Sequence, residues 1–98
     1  MEKHTPHHRL AEVKDLVIRG RVRHTKVATQ GAQVMGFRVA DVHRVVLDLS
    51  AADFYKSMTT YGDHRVWQDV YRPRTPKGQV YLKLTVVEDL LVVSFKEL

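Results

Sequence analysis

The sequence predicts an α+β fold in which helices come first and pack on one face of a C-terminal antiparallel sheet. Two observations predict it. Apolar residues recur at helical spacing as far as about residue 49, and beyond residue 54 the period changes to two. The last two apolar runs alternate so regularly that they read as a hairpin with one greasy face. With 98 residues, 44% of them hydrophobic, the chain suits one domain over residues 1–98.

The elements follow in order. Thr5 is an N-cap residue followed by Pro6 at the first helical position. Leu10, Val13, Leu16 and Val17 then form a helical stripe that Gly20 terminates. Thr25 caps a second helix carrying Val27, Ala28, Ala32 and Val34 or Met35, closed by Gly36. A third helix is predicted from Ala40 to Leu49, turning Val42, Val45, Val46 and Leu49 inward; its β-branched run also fits a buried strand. Ser50 caps one more helical turn through Asp53. Strands are predicted over 54–60, 66–72, 79–87 and 90–96, with loops at Gly62-Asp63 and between Pro73 and Gly78.

The final hairpin carries the most information. Val80, Leu82, Leu84 and Val86 alternate with Tyr81, Lys83 and Thr85, and Leu91, Val93 and Phe95 alternate with Val92, Ser94 and Lys96. A turn centred on Glu88-Asp89 pairs Val86 with Leu91, Leu84 with Val93 and Leu82 with Phe95, which gathers the large apolar residues on one face. Tyr81 then lies across from Lys96, and Lys83 across from Ser94, with Cβ atoms about 4.5–5.5 Å apart. Gln68 and Arg72 join this open face if their strand packs alongside, and Lys56 and Met58 share a parity that extends it. The face is rich in hydrogen-bond donors and poor in carboxylates, which suits a phosphate. An ordinary solvated sheet face has the same composition often enough that spacing alone does not choose between them.

The rest of the composition narrows the function. A net charge of +5 favours a polyanionic partner, although a basic surface also serves simple solubility. Cysteine is absent, so disulfides and thiolate metal sites are excluded and a reducing compartment fits; the cytoplasm is the expected location. No apolar stretch approaches a membrane span, and Met1 to Pro6 has no apolar run resembling a signal peptide. No P-loop, paired-carboxylate or Ser/Cys triad signature appears. His4, His7 and His8 lack a fourth ligand at a recognisable spacing, so casual metal binding is expected there rather than a site. His24 and His64 have the imidazole chemistry for proton transfer near neutrality, though loop histidines are usually inert.

Three stretches are specific: Ser50 to Tyr61 (SAADFYKSMTTY), Val66 to Pro73 (VWQDVYRP) and Gly78 to Leu84 (GQVYLKL). With the ending Val93-Ser94-Phe95-Lys96-Glu97 and the opening Met1 to Leu10, they resemble the motility quorum-sensing regulator (MqsR) toxins over the whole length, most strongly from Ser50 onward. The resemblance implies a RelE-like messenger-RNA interferase paired with a zinc-containing, DNA-binding, MqsA-like antitoxin. It implies an active-site set of Lys56, Gln68, Tyr81 and Lys96, and cleavage near GC-containing triplets such as GCU. No cofactor is called for, and no direct DNA binding is expected of this chain alone.

The expected chemistry is internal transesterification: the ribose 2′-OH attacks the adjacent phosphorus, leaving a 2′,3′-cyclic phosphate and a 5′-OH. Lys56 and Lys96 are candidates to stabilise the phosphorane, Gln68 to orient phosphate or base, and Tyr81 to bond the phosphate or donate a proton. Among substrate-binding candidates, Arg72 suits a bidentate phosphate clamp, and Tyr55 and Met58 suit contact with a base, or else the core. Trp67 and Tyr71 have the opposite parity to Gln68 and are expected in the core. The alternatives are a non-catalytic RNA- or ribosome-binding module using the same face, and a pure interaction protein.

Overall fold

The computed structural model describes residues 1–98 as three helices and a seven-stranded sheet. The strands are β1 (Glu2–Lys3), β2 (Val22–His24), β3 (Phe54–Thr59), β4 (Trp67–Tyr71), β5 (Arg74–Thr75), β6 (Gly78–Val87) and β7 (Asp89–Glu97). The helices are α1 (Leu10–Ile18), α2 (Lys26–Val34) and α3 (Val39–Leu47). The sheet order is β1-β3-β4-β6-β7-β2, with β5 added to β6, and every pairing is antiparallel except β2 with β7. The expected α+β architecture is present, with the three helices preceding the main strands.

The first helix begins later than Thr5-Pro6 suggests. The backbone N–H groups of His7 and His8 donate to the two carboxylate oxygens of Asp69, each at 2.9 Å. Asp69 is fully buried, so these bonds satisfy a carboxylate that would otherwise be costly to desolvate. Residues 5–9 are thereby pinned to the sheet in a non-helical path, and α1 starts at Leu10. Gly20 ends it as predicted, at φ 72°, with its own N–H and that of Arg21 closing onto Val17 and Leu16 carbonyls.

Thr25 caps α2 by accepting from the Ala28 N–H at 3.0 Å, and Gly36 closes the turn at φ 85°. Ala28 and Ala32 are buried while Val27 and Val34 face solvent. Gly31 sets the approach of α2 to the sheet: a Cβ there would stand 2.0 Å from the Phe95 carbonyl oxygen. The ambiguous third segment is a helix. Val42, Val45 and Val46 fall on one side of a 3.6-residue period and, with Leu49 just beyond, are all buried. Asp41 accepts from the Arg38 N–H at 2.8 Å and so holds the first turn. Ala51–Asp53 forms the expected extra turn, as a 3-10 helix.

The core lies between these helices and the inner sheet face, where Tyr71, Leu82, Leu84, Leu90, Val92 and Phe95 are almost inaccessible. Part of the predicted hairpin register is therefore corrected. Leu82 does pair with Phe95, Tyr81 with Lys96 and Lys83 with Ser94; but Leu84 pairs with Val92 and Val86 with Leu90. Val93 is the extra residue of a β-bulge, and the parity of β7 reverses across it. The turn sits at Glu88, which takes φ 65°, between paired Val87 and Asp89.

Candidate functional site

Paired residues in a sheet share a face, as do alternate residues along a strand, so the registers place each candidate side chain. On the face away from the helices they form three rows. One row runs Glu2, Met58, Gln68 across β1, β3 and β4. The next runs Lys56, Val70, Lys83, Ser94 across β3, β4, β6 and β7. The third pairs Tyr81 with Lys96, and the β4–β6 register continued by two residues sets Arg72 beside Tyr81. Rows lie roughly 6.7 Å apart and strands roughly 4.8 Å apart. Lys56, Gln68, Tyr81 and Lys96 thus share one continuous surface drawn from four strands.

Val70 forms the floor of the middle row and is completely buried, so Lys56 and Lys83 rise on either side of an apolar base. Lys56 is held by Glu2 at 3.0 Å, with 20% of its side chain exposed. That bond is the main cause that raises its pKa above the usual lysine value and keeps it a fixed cation. Lys83 moves the other way. Burial first, then the ammonium groups of Lys96 and Lys56, push its pKa below the usual range. The Lys96 Nζ lies 5.2 Å from the Tyr81 ring centroid.

A second bulge, between Phe54 and Lys56 on β3, turns Phe54 to the core and Lys56 to the open face, with Tyr55 as the extra residue. The half-exposed Tyr55 ring lies 4.0 Å beneath the Arg72 guanidinium and 5.3 Å from the Lys56 Nζ. Tyr55, Met58 and Arg72 therefore border the same surface as the four central candidates. Tyr71 belongs to the core as expected; burial, then Asp69 and Asp53, push its hydroxyl up to about 12.

Several expectations change. Trp67 is only half-buried: His7 stacks on it at 5.6 Å with 17° between ring planes, and the Lys3 Nζ lies 4.1 Å from its centroid. His7 and His8 are consequently tied to the sheet through Asp69, with His7 also packed on Trp67. His24 does not reach the open face, because its Nε2 meets the His43 Nε2 at 3.0 Å on the helix side. His64 lies in the Tyr61–Arg65 loop beside Met58 and Thr60. Lys83, opposite Ser94, joins the same face and is the residue that the resemblance does not point to. The signal available was its place two residues from Tyr81 on an alternating strand, diagonal to Lys96. The largest concavity, about 350 Å³, lies elsewhere, between α3 and residues 73–77, with Asp41, Asp48 and Asp53 facing Arg44, Arg74 and Lys77. Its charges are mixed, whereas the open face presents mostly cations; an extended polyanion fits a face better than a pit.

No helix is long and apolar enough to cross a membrane, and no three His, Asp or Glu side chains converge as a metal site. A family profile described as "Motility quorum-sensing regulator, toxin of MqsA" matches residues 5–97. The chain is also 58% identical over 97 residues to the mRNA interferase toxin MqsR of Escherichia coli (strain K12), covering 99% of each sequence.

Proposed function

The chain belongs to the motility quorum-sensing regulator toxin family, and from that membership we propose that its open sheet face cleaves messenger RNA without a metal, by attack of the ribose 2′-OH on the adjacent phosphate. It is a toxin of the mRNA interferase class, an endoribonuclease. The observation that supports the mechanism is the three-row open face shared by Lys56, Gln68, Tyr81 and Lys96, drawn from four strands. The RNA brings its own nucleophile, so the protein has only to hold the backbone, move two protons and stabilise charge.

Lys56, positioned by Glu2, and Lys96 supply cations for the non-bridging oxygens as negative charge builds on phosphorus. The Tyr81 hydroxyl, beside Lys96, hydrogen-bonds the same phosphate. Gln68 orients phosphate or base with its amide. Arg72, stacked on Tyr55, clamps a flanking phosphate in a fixed plane, and Met58 packs against a base. GC-containing triplets such as GCU are the proposed targets. The proposed partner that silences the chain is a zinc-containing, DNA-binding, MqsA-like antitoxin, and the proposed compartment is the cytoplasm, where messenger RNA is translated.

The test is incubation of the purified chain with a GCU-containing RNA in EDTA. Cleavage leaving 2′,3′-cyclic phosphate ends, abolished by a single 2′-deoxy substitution before the scissile phosphate, is the expected result. Tight binding with the RNA left intact would replace this reading with a non-catalytic RNA-binding module. Lys96→Ala and Tyr81→Phe are each expected to lose at least about a hundredfold in rate; full activity in both would remove the site assignment.

A further inference from the structure

We infer that Lys83, at the centre of the open face, is the general base that takes the proton from the attacking ribose hydroxyl. The inference rests on the ribonuclease reading above and assigns a residue to the proton transfer which that reading leaves open.

Position comes first. Lys83 is bracketed by Val70 on β4 and Ser94 on β7, and Tyr81 lies two residues along its own strand. It therefore stands between Lys56, two strands away across Val70, and Lys96, diagonally adjacent on β7. A phosphate drawn between those two cations brings its neighbouring ribose over Lys83. Val70 beneath is fully buried, and Lys83 itself is half-buried, so its side chain rises beside an apolar floor.

Chemistry separates the three lysines. A lysine serves as base only when a usable fraction is neutral, and each unit of pKa depression raises that fraction about tenfold at pH 7. Lys56 is bound to a carboxylate, which fixes its proton. Lys83 has no carboxylate partner, and burial together with two flanking ammonium groups favours its neutral form. The 2′-OH proton passes to the Lys83 amine as the O2′–P bond forms. The P–O5′ bond breaks, and the departing 5′ oxygen takes a proton from the Lys96 ammonium. Exchange with solvent then resets both lysines.

The experiment uses the full chain with three substrates: an RNA, its 2′-deoxy analogue, and an RNA whose scissile 5′ bridging oxygen is sulfur and whose leaving group needs no proton. Lys83→Arg keeps the length and hydrogen-bonding reach of the side chain but is permanently protonated and cannot accept the proton. It is expected to bind the 2′-deoxy analogue within about threefold of wild type and to cleave RNA about a hundredfold or more slowly. The rise of single-turnover rate with pH should also flatten. The sulfur substrate should not restore its rate, whereas it should restore the part of the Lys96→Ala loss that comes from leaving-group protonation. Cleavage by Lys83→Arg within about fivefold of wild type and with the same pH profile would overturn the assignment, and so would rescue by the sulfur substrate. Circular dichroism melts of each variant separate misfolding from lost chemistry, and Lys83→Gln repeats the test without the longer side chain. A wild-type chain that leaves all substrates intact would instead remove the ribonuclease reading itself.

Discussion

Replacing Gly31 by alanine tests how tightly α2 is seated on the strand that carries Lys96. In an exposed helix interior this change stabilises by about 1 kcal/mol, because glycine is a poor helix former. Here the added Cβ would lie 2.0 Å from the Phe95 carbonyl oxygen and 3.5 Å from the Lys96 Cβ. Comfortable non-bonded contact is about 3.5 Å, so α2 must retreat by roughly 1.5 Å or β7 must buckle. The obstacle is backbone, and Ala28 and Ala32, buried on the same helix face, lose contact in the retreat. Overpacking of this kind costs about 1–3 kcal/mol and sometimes more. With backbone on the receiving side, we take a gross cost of about 3–4 kcal/mol and a net loss of about 2–3 after the propensity gain. For a domain of this size that lowers Tm by roughly 8–24 °C. Urea and thermal unfolding followed by circular dichroism give both quantities. A variant as stable as wild type, or more stable by the alanine increment, would show that α2 does not press on Phe95.

Three further outcomes are expected. Thr25→Ala removes the α2 cap and the hydroxyl that donates to the Val93 carbonyl at 2.8 Å, and should lower urea-unfolding stability by about 1–2 kcal/mol; an unchanged midpoint would dismiss the cap. Burial first, then His43, holds the pKa of His24 below its usual 6.5, so the unfolded chain takes up this proton more readily than the folded one. Stability should therefore fall as pH drops through about 6.5 and level off only below the folded value; urea midpoints at several pH values should show a shallower fall in His24→Gln, and identical slopes would refute the pairing. Glu2→Gln should release Lys56 for phosphate, steepening the salt dependence of binding to a non-cleavable RNA analogue by about 0.7 in log–log slope. Fluorescence anisotropy across a salt series measures it, and a slope equal to wild type would mean that Glu2 does not compete with RNA.

Periodicity revealed the three helices, the four long strands and the Tyr81–Lys96 pair, because those features follow from local pattern and one buried hairpin face. Strands β1, β2 and β5 were not legible. Each has only two or three residues and exists because a neighbouring long strand offers hydrogen bonds, which no local propensity encodes. Helix α1 begins later than its local sequence suggests for a similar reason: Thr5-Pro6 has the signature of a helix start, and Asp69, more than sixty residues away, overrides it. The register slip has a sharper cause. Leu90-Leu91-Val92-Val93 is apolar at four successive positions, so both parities look equally buried until the bulge declares itself. The relation of Lys83 to Lys56 was also out of reach, since it depends on β4 lying between them.

The bulge at Val93 bears on how this protein can vary. Ahead of it, Leu90 and Val92 are anchored among the helices; behind it, Phe95 is anchored there too, and only the odd spacing lets all three do so while Lys96 faces outward. Side-chain exchange on either flank changes volume or charge and leaves this phase intact. Losing or gaining one residue between Val92 and Phe95 would force a trade between a sealed interior and a correctly aimed lysine. Lineages descending from this sequence should therefore drift by replacement along β7 and keep its length constant.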